Sequence, residues 1–260
     1  MPRKKKNEPD LIDTIFNIIS FFATNEETKV IKKKQRSRKM RKHEPELLKF
    51  KPIQKSDAGS VDEFEKYLAD NPSTIGLIVG KRGAGKSAVA LKTLENVCAK
   101  TGRKCQALGF NAAELPGWID CVDSIDELQN DSFVVMDESG VLFSSRSSMG
   151  KVNKMLSNLL FVSRHKNMSI LFITQNSCNV DINIIRQLDY IMLKKSALVQ
   201  LDFERSKIKK IYEETDERFN ELYNDHIGLT YIYSDVFRGF MENTLPSFWG
   251  EEISKNFKDT

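Results

Sequence analysis

Eight consecutive residues, Gly80-Lys81-Arg82-Gly83-Ala84-Gly85-Lys86-Ser87, satisfy the pattern GxxxxGK[ST] at every fixed position. The chemistry of that pattern is the holding of a polyphosphate. Glycines let the chain fold back so that successive backbone N–H groups converge on an anion, and a following helix adds its positive N-terminal end. Lys86 is suited to reach the β- and γ-phosphates and the Ser87 hydroxyl to bind Mg²⁺, with Ala88 continuing the cradle into the helix. The apolar run Ile75-Gly76-Leu77-Ile78-Val79 precedes the loop, and a helix-like segment runs from Ser87 to about Lys100. That strand–loop–helix context separates the motif from a chance glycine-rich turn and marks a site for a nucleotide.

A second constellation turns binding toward hydrolysis. Phe133-Val134-Val135-Met136-Asp137-Glu138 is an apolar run ending in two carboxylates, about fifty residues after the loop. Such a run reads as a buried parallel strand, and Asp137 at its end would sit where ligands collect in open α/β sheets. Its expected role is to hold Mg²⁺, largely through water. Glu138 is the candidate to orient and polarise an attacking water. Standing alone, the pair would equally suit a surface turn; the upstream phosphate loop is what favours the catalytic reading.

The third run, Ser169-Ile170-Leu171-Phe172-Ile173-Thr174-Gln175, is again apolar with a polar end. The order Asp137-Glu138, Arg146, Ser163-Arg164-His165-Lys166-Asn167, Ser169–Gln175 and then Asp181–Asp189 followed by Tyr190–Lys194 resembles the FtsK–HerA superfamily of DNA-pumping ATPases. Within that superfamily it is similar to the branch holding the zonular-occludens-toxin-like assembly ATPases and the viral genome-packaging ATPases. The resemblance spans about residues 73–200. It implies an α/β fold of the P-loop NTPase type, in the additional-strand, catalytic-glutamate (RecA-like) class, with a mostly parallel sheet flanked by helices. In that class a strand lies between the phosphate-loop strand and the Asp-Glu strand, and its last polar residue, here Gln175, senses the γ-phosphate. A short helix after the sensor leads into a further strand.

A guanidinium supplied by a neighbour accelerates phosphoryl transfer by roughly 10³–10⁵-fold. Arg164, at the end of a helix patterned by Val152, Met155, Leu156, Leu159 and Leu160, and Arg146, in Ser144–Ser148, are the candidates. Arg164 could instead complement its helix dipole, and Arg146 could contact nucleic acid or solvent. His165 reads as an ordinary polar residue, with no nucleophile paired to it.

Residues 1–50 carry 14 Lys/Arg against 7 Asp/Glu, leaving 26 against 29 for residues 51–260. A basic arm thus precedes one mildly acidic ATPase domain, residues 51–260. Within the arm, Leu11–Ala23 has a one-sided apolar stripe too short to span a bilayer, suited to a capsid or membrane surface or to its own core. Residues 29–42 hold nine Lys/Arg and read as a DNA-phosphate contact, with a solvated tail or acidic lipid as alternatives. Cys98, Cys105, Cys121 and Cys178 show no metal-ligand spacing and suit a cytoplasmic protein with reduced thiols, peripheral at a membrane or virion vertex.

Residues 104–110 are expected to form a strand, Ile208–Tyr223 a long amphipathic helix, and Leu229–Ser234 with Val236–Met241 a terminal strand pair. The expected function is an ATP- and Mg²⁺-dependent DNA translocase or packaging motor, working as a homo-oligomeric ring with DNA in its pore. Two alternatives stand beside it: an export or virion-assembly ATPase, and a nucleotide-gated switch with little turnover. No LSGGQ-like segment suggests an ABC-type ATPase, and the Asp-Glu strand end favours water over a kinase acceptor.

Overall fold

The computed structural model describes residues 42–137, 160, 163–226 and 228–250. Glu138, Arg146, arm residues 11–23 and 29–41, and most of the helix expected to end at Ser163 lie outside the described residues. In chain order the elements are β1 (Lys51–Gly59), α1 (Val61–Asp70), β2 (Ile75–Val79), α2 (Lys86–Thr101), β3 (Lys104–Leu108), β4 (Ile119–Val122), β5 (Ser132–Asp137), β6 (Ser169–Thr174), α3 (Ile182–Ile185), β7 (Tyr190–Leu193), α4 (Leu198–Asp202), α5 (Ser206–Leu222), β8 (Leu229–Ser234) and β9 (Phe237–Glu242).

The described strands form one sheet in the order β1-β9-β8-β7-β2-β6-β5-β3-β4. The strands from β4 to β7 pair in parallel, whereas β8, β9 and β1 extend the sheet antiparallel beyond β7. β6 lies between β2 and β5, as the family resemblance implies. The fold is that of a P-loop NTPase.

Both sheet faces are covered, which explains why β2, β5 and β6 are apolar at nearly every position rather than at alternate ones. Leu77, Val134, Met136 and Phe172 face a core shared with Ile208, Ile211, Tyr212, Phe219 and Leu222 of α5. Ile78, Phe133, Val135 and Leu171 face the opposite core, with Val61, Phe64 and Leu68 of α1 and Val89, Leu94 and Val97 of α2. The spacing of the α5 residues keeps one helical stripe on the sheet. Leu160, at the apolar face expected for the helix before β6, is buried in the same core as α5.

Residues 46–50 lie across the two helices. Leu48 exchanges hydrogen bonds with the Asn96 side chain (3.2 and 2.9 Å), and the Phe50 N–H donates to Glu65 Oε1 at 2.8 Å. A buried Lys92–Glu95 ion pair (2.7 Å) on α2 also takes this segment: Lys92 donates to the Glu46 carbonyl, and Glu95 accepts from the Glu46 N–H. Paired charges satisfied by backbone groups are the form in which ionised side chains tolerate full burial. Residues 46–50 are therefore fastened to the helix that starts at the phosphate loop.

Candidate nucleotide site

β2 delivers the phosphate loop to the C-terminal edge of the sheet. Register pairs Val79 with Thr174 of β6, Asp137 with Ile173, and Val79 with Leu193 of β7. Gly80, Gln175, Asp137 and Lys194 therefore leave the sheet at one edge. Asp137 stands two strand spacings from Val79, roughly 10 Å.

Gly85 is the N-cap of α2 at φ +82, a left-handed conformation that glycine adopts without steric cost. Gly80 is required for a different reason: a Cβ there would stand 2.6 Å from Lys194 Cβ. The first amides of α2 have no intrahelical acceptor and point back at the loop. Lys86 is buried and its Nζ donates to the carbonyls of Gly80 (2.8 Å) and Lys81 (3.0 Å). Its ammonium is thus held within the turn it is expected to serve. Arg82, Gly83 and Gly85 are exposed, Lys81, Ala84 and Ser87 partly so, and Ala88 is buried beneath them.

Ser87 lies in the first turn of α2 and Asp137 closes β5, both partly accessible. Among the described residues no three or more His, Cys, Asp or Glu side chains gather as a metal cluster. One hydroxyl and one carboxylate, completed by phosphate and water oxygens, is a donor set that fits Mg²⁺, which prefers few protein ligands.

Gln175 is exposed at the end of β6. The turn after it is fixed by its own side chains: Thr174 Oγ1 donates to the Asn176 carbonyl (2.8 Å), and Asn176 Oδ1 accepts from the Cys178 N–H (2.8 Å). Gln200 Nε2 of α4 reaches the Gln175 carbonyl at 3.4 Å, so the end of β6 is tied to α4.

Arg164 and His165 are exposed in the turn that enters β6, beside the start of β5, where the Asp131 N–H donates to the Lys166 carbonyl at 2.9 Å. That is the N-terminal edge of the sheet, a full six-residue strand, roughly 20 Å, from the phosphate loop. The structure does not bring Arg164 to the loop of its own chain.

Lys194 was absent from the sequence expectations for the site. It is 1% exposed, and its Nζ donates to the carbonyls of Gly228 (2.9 Å) and Leu229 (3.1 Å) and to Asn243 Oδ1 (3.1 Å). Its N–H donates to the Val79 carbonyl, and the Lys81 N–H donates to the Lys195 carbonyl (2.8 and 3.1 Å). The end of β7 is thus stitched to the loop on one side and to the β8–β9 hairpin on the other. Burial pulls the Lys194 ammonium down to about 7. One signal was available: a lysine directly follows the apolar run Tyr190–Leu193.

No curated protein matches the chain. Among solved structures, the DNA-packaging ATPase B204 of Sulfolobus turreted icosahedral virus is similar at 15% identity and a TM-score of 0.47, over 67% of this chain and 99% of that one. The pCW3 conjugation coupling protein TcpA is similar at 13% identity and a TM-score of 0.46, over 72% and 65%. The N-terminal domain of zonular occludens toxin from Neisseria meningitidis is similar at 18% identity and a TM-score of 0.31, over 46% and 76%. Residues 113–212, which hold Asp137, Glu138, Arg164 and Gln175, match the zonular occludens toxin (Zot) family, and the resemblance read in the sequence is borne out there.

Proposed function

We propose that this protein is an Mg²⁺-dependent ATPase that drives DNA through a homo-oligomeric ring, packaging or exporting the genome of a virus or mobile element. The observation that carries the reading is the convergence of the phosphate loop, Asp137 and Gln175 at one sheet edge, with β6 interposed between β2 and β5. Lys86 and the loop amides stabilise charge on the β- and γ-phosphates, where Mg²⁺, held by Ser87 and Asp137, would neutralise more of it. Glu138 takes a proton as a water oxygen attacks the γ-phosphorus, and the bond to the β–γ bridging oxygen breaks. Gln175 contacts the γ-phosphate or that water.

Because Arg164 lies at the far edge of its own subunit, any finger role for it is in trans, as in a ring; Arg146 is the second candidate. The basic arm supplies the contact to DNA phosphates, and residues 11–23 a contact to capsid or membrane. Among the described residues no helix is long and apolar enough to cross a membrane.

The Zot-family segment favours a second reading, in which turnover serves virion assembly or export at a membrane. Steady-state ATP hydrolysis with and without long double-stranded DNA separates the two. The motor is expected to be strongly stimulated; turnover indifferent to DNA would sink it and leave the assembly reading.

The arm makes its own prediction. If residues 29–42 grip phosphates, deleting them weakens DNA binding and flattens its salt dependence, by about 0.9 in the log–log slope for each phosphate no longer neutralised. An unchanged slope would move the grip elsewhere, to the ring's pore.

A further inference from the structure

The sheet edge that carries the phosphate loop has two flanks. Toward β6 and β5 stand Gln175 and Asp137, the groups suited to the γ-phosphate and its cation. Toward β7, β8 and β9 lies a cavity of about 490 Å³. Its floor includes Gly85 and Ala88 of the loop and first helical turn, and its walls include Tyr223, His226, Glu242 and Leu245. We propose that this cavity takes the purine base and ribose of the nucleotide, an assignment that rests on the phosphate-loop reading.

The direction of the ligand follows from the loop. A nucleoside triphosphate laid along Gly80–Ser87 with its γ end toward Asp137 and Gln175 must send its nucleoside end to the other flank, and the cavity opens there onto the first turn of α2. Its volume falls within the roughly 300–1,000 Å³ usual for small-ligand sites.

The lining suits a flat heterocycle. Tyr223 and Leu245 are 38% and 52% exposed, large apolar surfaces that a base would cover. The Tyr223 ring is already flanked by cations, with Lys195 Nζ 4.4 Å and Lys81 Nζ 5.4 Å from its centroid. That arrangement keeps positive charge beside the phosphates and aromatic surface beside the base. Glu242 and His226 pair at 3.6 Å and each keeps partial exposure, so the carboxylate can accept from the amino group at a purine edge. The cavity wall is held in register with the loop by Lys194, which ties Gly228, Leu229 and Asn243 to the end of β7. Tyr223 closes α5, Glu242 ends β9 and Leu245 follows it, so the base reader is assembled by the antiparallel extension of the sheet rather than by the parallel core.

Calorimetric titration with ATP and with inorganic tripolyphosphate, both in Mg²⁺, tests this. The intact protein is expected to bind ATP more tightly than tripolyphosphate. Leu245→Ala, at an exposed position, should weaken ATP by roughly tenfold and leave tripolyphosphate unchanged, and Tyr223→Ala should weaken ATP by roughly tenfold more than it weakens tripolyphosphate. Glu242→Gln should change the ratio of ATP to GTP affinity. Equal affinity for ATP and tripolyphosphate, or ATP binding untouched by both Tyr223→Ala and Leu245→Ala, would overturn the base site while leaving the phosphate loop in place. Lys86→Ala without effect on either probe would instead defeat the phosphate-loop reading, and the base site with it.

Discussion

Glu138→Gln is expected to leave ATP binding intact and to lower turnover by roughly 10²–10⁴-fold, the usual contribution of a positioned general base. Glutamine matches glutamate in size and can still accept a hydrogen bond from water, but it cannot take the proton that water gives up. The loss amounts to about 3–5 kcal/mol of transition-state stabilisation. On the proposed reading ground-state affinity would reside elsewhere, in the loop amides and Lys86, so binding and chemistry should separate cleanly. Phosphate release and equilibrium ATP binding, measured on the same preparation, make the comparison. Near-normal hydrolysis would remove Glu138 from the role of base and return the Asp-Glu pair to a structural turn. Loss of binding together with turnover would mean that the carboxylate holds the nucleotide or its cation rather than the water.

How far the sequence revealed this site depends on how local each signal was. The places of the phosphate loop, Asp137 and Gln175 at strand ends were legible because each ends or follows an apolar run long enough to be a strand buried on both faces. α5 was legible from the spacing of Ile208, Ile211, Tyr212, Phe219 and Leu222. β1 was not, because Lys51–Gly59 alternates poorly, turns at Gln54 with φ +61, and breaks register between Ile53 and Ala58. β4 is a four-residue edge strand with only its two ends buried. α1 did carry a start signal that went unread, a Ser and a Glu three residues apart: the Ser60 side chain accepts from the Glu63 N–H, as a helix N-cap does, while its hydroxyl donates to Glu63 Oε2. The cavity beside the loop was beyond sequence reading altogether. Its walls come from the ends of β7, α5 and β9, and only the antiparallel return of β8 and β9 beside β7 puts them together.

Lys194 should give this protein a pH-dependent stability that Lys194→Met removes. Its folded value of about 7 lies below the ordinary 10.5, so between those limits the unfolded chain binds more protons than the folded one. Stability from this group therefore rises with pH through that window, by up to about 1.4 kcal/mol per unit, and is at its lowest below pH 7, where the buried amine must carry charge. Methionine has similar length and no proton to exchange, although it strips the Gly228 and Leu229 carbonyls and Asn243 Oδ1 of their donor. The variant is expected to be less stable than the parent at pH 9, with the gap narrowing by roughly 2–3 kcal/mol on going to pH 7. Cys121, pushed up to about 12 by burial, and Tyr231, raised chiefly by burial, lose stability as the unfolded chain ionises first, but they do so equally in both proteins and drop out of the gap. Lys51, Lys195, His226 and Glu242, the charged groups around the same cavity, are present in both proteins and cancel in the comparison. Chemical denaturation of the two proteins at pH 7, 8 and 9 reads the gap directly. A gap that stays constant would mean that Lys194 keeps one protonation state throughout, its three oxygen acceptors outweighing the burial that lowers it.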